Sequence, residues 1–218
     1  TNTLTQDITV EQPPAPPVPD PTLINTVFDK LGKSSGSDCA CSGWINRSLG
    51  TQGESSTASG NSVMKFDNNE PDHIYQEFEV TPNANYQIEV EVSFKANAGK
   101  SNPASLEFRV LAGTGYDSGY TPTYYTETTA FPQDGYGYSS VAQTEVEENN
   151  LMTRVLNNPD DTSYIKYILN FNSGANNSVA LFARGIGGLA TGSSDNERYG
   201  YSSGDEEIRI DNLVVTAL

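Results

Sequence analysis

The chain has 218 residues, 28 of them Asp or Glu and 12 Lys or Arg, for a net charge of −16 and a pI near 4.2. With its basic residues scattered rather than clustered, that balance argues against nucleic acid as a partner, because phosphate binding needs a positive patch. No run approaches the ~18 apolar residues of a membrane-spanning helix, so the chain itself is not expected to insert in a bilayer.

The length suits one large β domain, or one domain with an extra segment. A composition rich in Asn, Gly, Ser, Thr and Tyr and poor in Lys is common in secreted bacterial β proteins. With neither an initiator Met nor a signal peptide, the sequence reads as a mature or truncated form.

Taken in order, residues 1–10 (TNTLTQDITV) alternate polar and apolar side chains like a closing strand with no strands before it. They resemble the last strand of a PKD-type immunoglobulin-like domain. Residues 11–21 hold six prolines, which force an extended, semi-rigid spacer. The main domain is therefore expected over 22–218.

Leu23 to Asp29 reads as its first strand. A Gly/Ser loop follows, and then Cys39-Ala40-Cys41. Two cysteines one residue apart rarely pair, because the ring is small and strained. With His73 the only histidine, a metal site lacks ligands. The pair reads as small buried thiols beside a turn, with an unusual disulfide as the alternative in an oxidising compartment. Trp44, the only tryptophan, is either a core residue or a sugar platform.

The clearest structure runs from Asn61 to Lys95. Strand patterns at Ser62–Phe66, His73–Val80 and Tyr86–Phe94 are separated by Asp67–Asp72 and Thr81–Asn85, which read as turns. That spacing predicts an antiparallel sandwich. Further strands are expected at Ser105–Leu111, Tyr164–Phe171 and Ser178–Arg184, and no segment has helical periodicity beyond a turn or two.

The last stretch, Glu206 to Val215, alternates charged and aliphatic residues through Ile208 and Ile210. It then shifts by one step at Leu213. As a terminal strand it needs a partner from elsewhere, and Leu23–Asp29 is the natural candidate. If first and last strands are neighbours, Asp29 and Asp211 can share one ion. Paired carboxylates repel without a cation between them, and hard oxygen ligands suit Ca²⁺. Asn25 is a third candidate ligand. The alternative is that both aspartates end strands in water.

Three motifs carry a family resemblance. Leu23-Ile24-Asn25…Phe28-Asp29 followed by Ser42-Gly43-Trp44 resembles the opening of jelly-roll carbohydrate-binding modules. Ile74 to Tyr86 resembles their "Q-x-V-x-V-x-P-G-x-x-Y" strand pair, and Ile210 to Val215 their closing "I-D-N-V-x-L". Asn25-Thr26 lacks the usual Gly, and Asp29 stands in place of Glu. The resemblance implies an all-β antiparallel sandwich of jelly-roll type, a structural calcium site and polysaccharide binding. A PKD-like strand before such a module resembles the layout of surface glycan-binding lipoproteins of polysaccharide-degrading bacteria. That implies a longer multidomain protein at the cell surface or outside the cell.

The segment Ala112 to Asn150 departs from strand spacing and holds six of the twelve tyrosines: Tyr116, Tyr120, Tyr124, Tyr125, Tyr136 and Tyr138. Tyr199 and Tyr201 repeat the Tyr-Gly-Tyr pattern in a second loop. A loop tyrosine offers a flat apolar face to a pyranose and a hydroxyl to its O–H groups. The competing reading is that these loops plug their own sandwich. Arg109 is expected to fix sugar hydroxyls, and Arg109, Arg154, Arg184 and Arg198 would line a basic groove if the glycan were a uronate.

An enzyme is the other class. His73, Arg109, Gln76 and the tyrosines contain the residue types of a jelly-roll polysaccharide lyase, yet the strand motifs of such lyases are missing. Glu145, Glu147 and Glu148 form an acidic run rather than a glycosidase pair. The sequence thus predicts non-catalytic polysaccharide binding. Catalysis and a scaffold or adhesion role are the alternatives.

Overall fold

The computed structural model describes residues 16–28, 43–50, 52–58, 60–66, 72–95, 104–124, 134–187 and 207–218. Among the described residues nine strands form two antiparallel sheets. They are β1 (Glu54–Ala58), β2 (Asn61–Phe66), β3 (His73–Glu79), β4 (Asn85–Phe94), β5 (Ala104–Ala112), β6 (Asn150–Leu156), β7 (Ile165–Asn172), β8 (Ser178–Gly187) and β9 (Ile208–Ala217). One sheet has the order β1-β2-β9-β4-β7 and the other β3-β8-β5-β6. The protein is all-β, an antiparallel sandwich of jelly-roll type.

The alternation seen in the sequence is what closes the two sheets on each other. Tyr86, Ile88, Val90, Val92 and Phe94 of β4 meet Ile74 and Phe78 of β3, with Leu106, Phe108 and Val110 of β5, in one buried core. Burial of each such side chain is worth about 1.5–3 kcal/mol, so strand register is strongly held.

The one-step shift in the last strand also has a structural cause. Between the pairs Glu91↔Asp211 and Glu89↔Val214 the register slips, and Asn212 there adopts a left-handed backbone with φ 49°. This β-bulge takes up one residue, so Ile208, Ile210, Leu213 and Val215 all reach the core. Asn tolerates the conformation better than most residues.

The opening segment corrects an expectation. Leu23 to Phe28 is not a strand, and the neighbours of β9 are β2 and β4. Asn25 and Phe28 both have positive φ, 49° and 52°, and Phe28 N–H closes a turn on the Asn25 carbonyl at 3.1 Å. One backbone bond, Leu213 N–H to the Thr26 carbonyl at 3.0 Å, still brings the segment beside β9. Gln76 fastens it from the other side, accepting from Ile24 N–H at 2.9 Å and donating to the carbonyls of Ile24 and Gly43.

The proline-rich run also reaches further into the body than a spacer would. Val18 packs against the core, and Asp20 Oδ1 accepts from Ala217 N–H of β9 at 2.7 Å. Residues 1–10, the cysteines and Asp29 lie outside the described residues.

Candidate functional site

Strand alternation sends His73, Tyr75, Glu77 and Glu79 of β3 to the face of the four-stranded sheet opposite the core. Glu107, Arg109 and Leu111 of β5 and Ala180, Phe182 and Arg184 of β8 share that face. The segment between β5 and β6 folds back across it. Leu49, Tyr75, Leu111, Tyr136, Tyr138, Ala180 and Phe182 form a second buried cluster there, with Tyr116 and Val141 packed against it.

The Gly-Tyr alternation of this segment is a packing device. A Cβ on Gly137 would collide with the ring of Tyr116, and one on Gly115 with the Tyr138 hydroxyl. Each glycine is the gap into which another tyrosine fits. The rings meet edge to face: Tyr116 with Tyr138 at 5.5 Å and 82°, Tyr116 with Tyr120 at 5.4 Å and 85°, Tyr75 with Tyr136 at 5.6 Å and 63°. These are the geometries that aromatic quadrupoles prefer. Tyr138 is fully buried, its hydroxyl donating to the Ala112 carbonyl at 2.8 Å, and its own carbonyl accepts from Asn46 Nδ2 at 2.8 Å.

Glu77 lies at the centre of these tyrosines. Its Oε1 accepts from the Tyr75 hydroxyl at 2.6 Å and from Gly137 N–H at 2.8 Å, and its Oε2 from the Tyr120 hydroxyl at 2.7 Å. Burial pushes the Glu77 carboxyl above the usual glutamate value, with the three donors pulling the other way. Burial, and then the Glu77 charge, holds Tyr75, Tyr116 and Tyr138 above the ordinary phenol range. The hydroxyls of Tyr75, Tyr120 and Tyr138 and one carboxylate are thus spent on fastening the loop.

Beyond this cluster the same face carries an ion network. Arg184 Nε donates to Glu107 Oε2 at 2.6 Å and its NH2 to Glu145 Oε1 at 3.0 Å. Arg109 reaches Glu107 at 2.8 Å, the Thr144 carbonyl at 3.1 Å and Asn150 Oδ1 at 3.0 Å. Glu145 belongs to α1 (Val141–Glu145), a single helical turn opened by a Ser140–Gln143 capping box. Arg109 and Arg184 therefore face internal acids beneath the segment instead of an open basic groove. Of the residue types of a lyase, His73, Tyr75 and Arg109 share this face, His73 buried 5.4 Å from Phe182, while Gln76 points to the opposite one.

Among the described residues, an open cleft lies at the edge of this region. Pro19, Asp20, Pro21 and Thr22 on one side, and Glu79, Val80, Thr81 and Tyr124 on the other, line a cleft of about 420 Å³. That is within the ~300–1,000 Å³ of small-ligand sites. Tyr124 is 38% exposed. A smaller cleft, about 190 Å³, lies among Ser93, Phe94, Lys95, Thr162, Glu207 and Arg209, where Arg209 is already paired with Glu207 at 2.6 Å.

Of the candidates named from the sequence, Tyr116, Tyr120, Tyr136 and Tyr138 gather round Glu77, and Tyr124 alone of the five described loop tyrosines is exposed. Trp44 is a core residue and no surface platform. It is fully buried 5.4 Å from Phe28, its Nε1 donating to the Asn25 carbonyl at 3.0 Å. Tyr125, Tyr199, Tyr201 and Arg198 lie outside the described residues.

Asp211 is buried, its carboxylate accepting from Asn212 N–H at 2.8 Å and from the Asn61 amide. Among the described residues no three His, Cys, Asp or Glu side chains group as a metal site, and Asp29 is not among them. Sequence reasoning missed Glu77, Glu79, Asp20 and strands β1 and β6. The Glu77-Phe78-Glu79 alternation put both glutamates on one face, but nothing in it showed what would cover that face.

No protein-family model matches the sequence, and no curated protein matches it. Solved structures with a similar arrangement include a CBM4 structure, 11% identical with a TM-score of 0.47 over 90% of this chain and 100% of that one. The N-terminal CBM22-1–CBM22-2 tandem domain of Paenibacillus barcinonensis Xyn10C is 10% identical with a TM-score of 0.46. There the match covers 94% of this chain and 51% of the tandem. The K1 cleaved adhesin domain of Lys-gingipain from Porphyromonas gingivalis W83 is 11% identical with a TM-score of 0.42, over 84% of this chain and 94% of that domain.

Proposed function

We propose that this chain is a non-catalytic polysaccharide-binding module of a secreted or cell-surface protein, and that it holds its glycan in the cleft beside Tyr124. The observation that carries this reading is the pairing of an exposed aromatic ring with hydroxyl and carboxylate oxygens. Tyr124 lines the cleft with Thr22, Thr81, Asp20 and Glu79. A ring offers its apolar face to the C–H side of a pyranose, and the oxygens accept from its O–H groups. The buried tyrosines act indirectly, by fixing the segment that carries Tyr124. Tyr125, Tyr199 and Tyr201 are candidate further contacts.

Loss of one stacking ring is worth about 1–2 kcal/mol. Tyr124→Ala is therefore expected to weaken glycan binding ~5–30-fold with the melting temperature kept, as read by calorimetric titration. Unchanged affinity would remove the cleft from consideration. A Ca²⁺ ion shared by Asp29 and Asp211, with Asn25 nearby, is part of the same proposal. Exhaustive chelation should then lower the melting temperature, since an ion bound only by the folded state stabilises it by mass action. An unchanged melting curve, with no metal by elemental analysis, would remove the ion.

A further inference from the structure

Among the described residues, the cleft beside Tyr124 contains acid without base. Its described lining has two carboxylates, Asp20 and Glu79, and no Lys, Arg or His. The cations nearest in the sheet are committed elsewhere: Arg184 and Arg109 share Glu107, and Arg184 also meets Glu145. Exposed Arg154 lies on β6, at the opposite edge of the sheet from β3, which ends in Glu79. Three strand spacings put it at least ~14 Å away sideways, and its register with Ile74 adds five residues along β3, well beyond a Debye length of about 8 Å at physiological salt. The chain's net charge of −16 adds to the same field.

Asp20 comes from the proline-rich segment and is held in place by β9. Its Oδ1 accepts the Ala217 N–H, which leaves Oδ2 to accept from a ligand. A carboxylate suits the two adjacent hydroxyls of a sugar, each of which donates to it. It repels a sugar that carries its own carboxylate.

We propose that the cleft selects by charge, taking a neutral glycan and rejecting uronate polymers, and that Asp20 and Glu79 are the residues that determine this specificity. The proposal rests on the reading of the cleft as the glycan site. It gives the proline-rich segment a share in recognition, since one of the two charges is on it.

The test uses the full chain and two panels: neutral gluco-, xylo- and manno-oligosaccharides, and oligogalacturonate with alginate oligomers. Titrations are run at low and at physiological salt. At least one neutral glycan should bind, and the uronates should bind ~10-fold or more weakly at low salt, with the gap narrowing as salt rises. Two like charges a few ångströms apart in water account for about fivefold each. Asp20→Asn, which keeps an oxygen for the Ala217 N–H, and Glu79→Gln should each narrow the gap severalfold by strengthening uronate binding.

A uronate oligomer that matches the best neutral glycan and weakens with salt overturns the proposal. So does an unchanged gap in both charge variants. If Tyr124→Ala still weakens binding in that case, the cleft stands as the site and only the specificity is lost. If Tyr124→Ala leaves binding intact, or if no oligosaccharide binds, the site and its specificity fall together.

Discussion

Two neighbouring regions of this molecule are built from the same residue types and end in opposite states. Around Glu77, five tyrosines and a carboxylate close on one another in a largely buried cluster. Beside Glu79, two residues along the same strand, one tyrosine and two carboxylates line an open cleft. Both regions use tyrosines from the segment between β5 and β6. What separates them is coverage. Gly115 and Gly137 let rings approach the segment's own backbone at the first, whereas at the second, among the described residues, the proline-rich run lies opposite. Tyrosine is suited to either state, because a ring that fills a core also fits a sugar, and its hydroxyl needs a partner in both. A count of tyrosines therefore says little about function until each ring's neighbours are known.

The difference can be broken most forcefully from the closed side. Tyr138→Ala empties a fully buried site in that cluster and is expected to cost about 3–5 kcal/mol of folding stability. Gly137→Ala, which drives a methyl into the Tyr116 ring, should cost about 1–3 kcal/mol. Chemical denaturation measures both. If either variant keeps wild-type stability while losing glycan affinity, the cluster is a binding surface and the two regions are alike after all.

From the open side the expectation is reversed. Tyr124→Ala, at about 1–2 kcal/mol of binding, should leave denaturation midpoints where they are.

The smallest effect sharpens the electrostatic side of the comparison. Glu77 keeps its proton to a higher pH in the fold than its ordinary value near 4.5, with burial as the main cause. As pH rises above 4.5 the unfolded chain releases this proton first, which favours unfolding. The stability due to Glu77 is thus fully present below the ordinary value and is lost as pH climbs to the folded-state value. Glu77→Gln cannot titrate. Its stability relative to wild type should therefore increase with pH through that window and then level off. Melting temperatures of both proteins across pH 3.5–8 read this directly, and a pH-independent difference would contradict it.

Most of the strands were legible in the sequence because their side chains alternate. His73–Glu79, Asn85–Phe94, Ala104–Ala112, Ile165–Asn172 and Ser178–Gly187 all lie where the period-two pattern puts them. β1, Glu-Ser-Ser-Thr-Ala, lacks that signal: it is a polar edge strand held by pairing with β2. β6 begins inside a segment whose Gly and Tyr content reads as loop, although Ser140 and Gln143 just before it carried a readable capping box. Leu23–Phe28 failed as a strand for a backbone reason, the two positive φ values that break its extended run although it lies beside β9.

The sequence by itself determined the all-β class, the sandwich and the face to which residues of the alternating strands point. These follow from local periodicity and from the need to bury apolar side chains on one side. The tertiary structure alone decided which tyrosines are covered, which arginines are neutralised and where a cleft is left open. Those outcomes depend on contacts between distant positions, such as Glu77 with Gly137, 60 residues apart, and Asp20 with Ala217, 197 apart. No local pattern encodes them, because the exposure of a side chain is set by whatever segment folds over it.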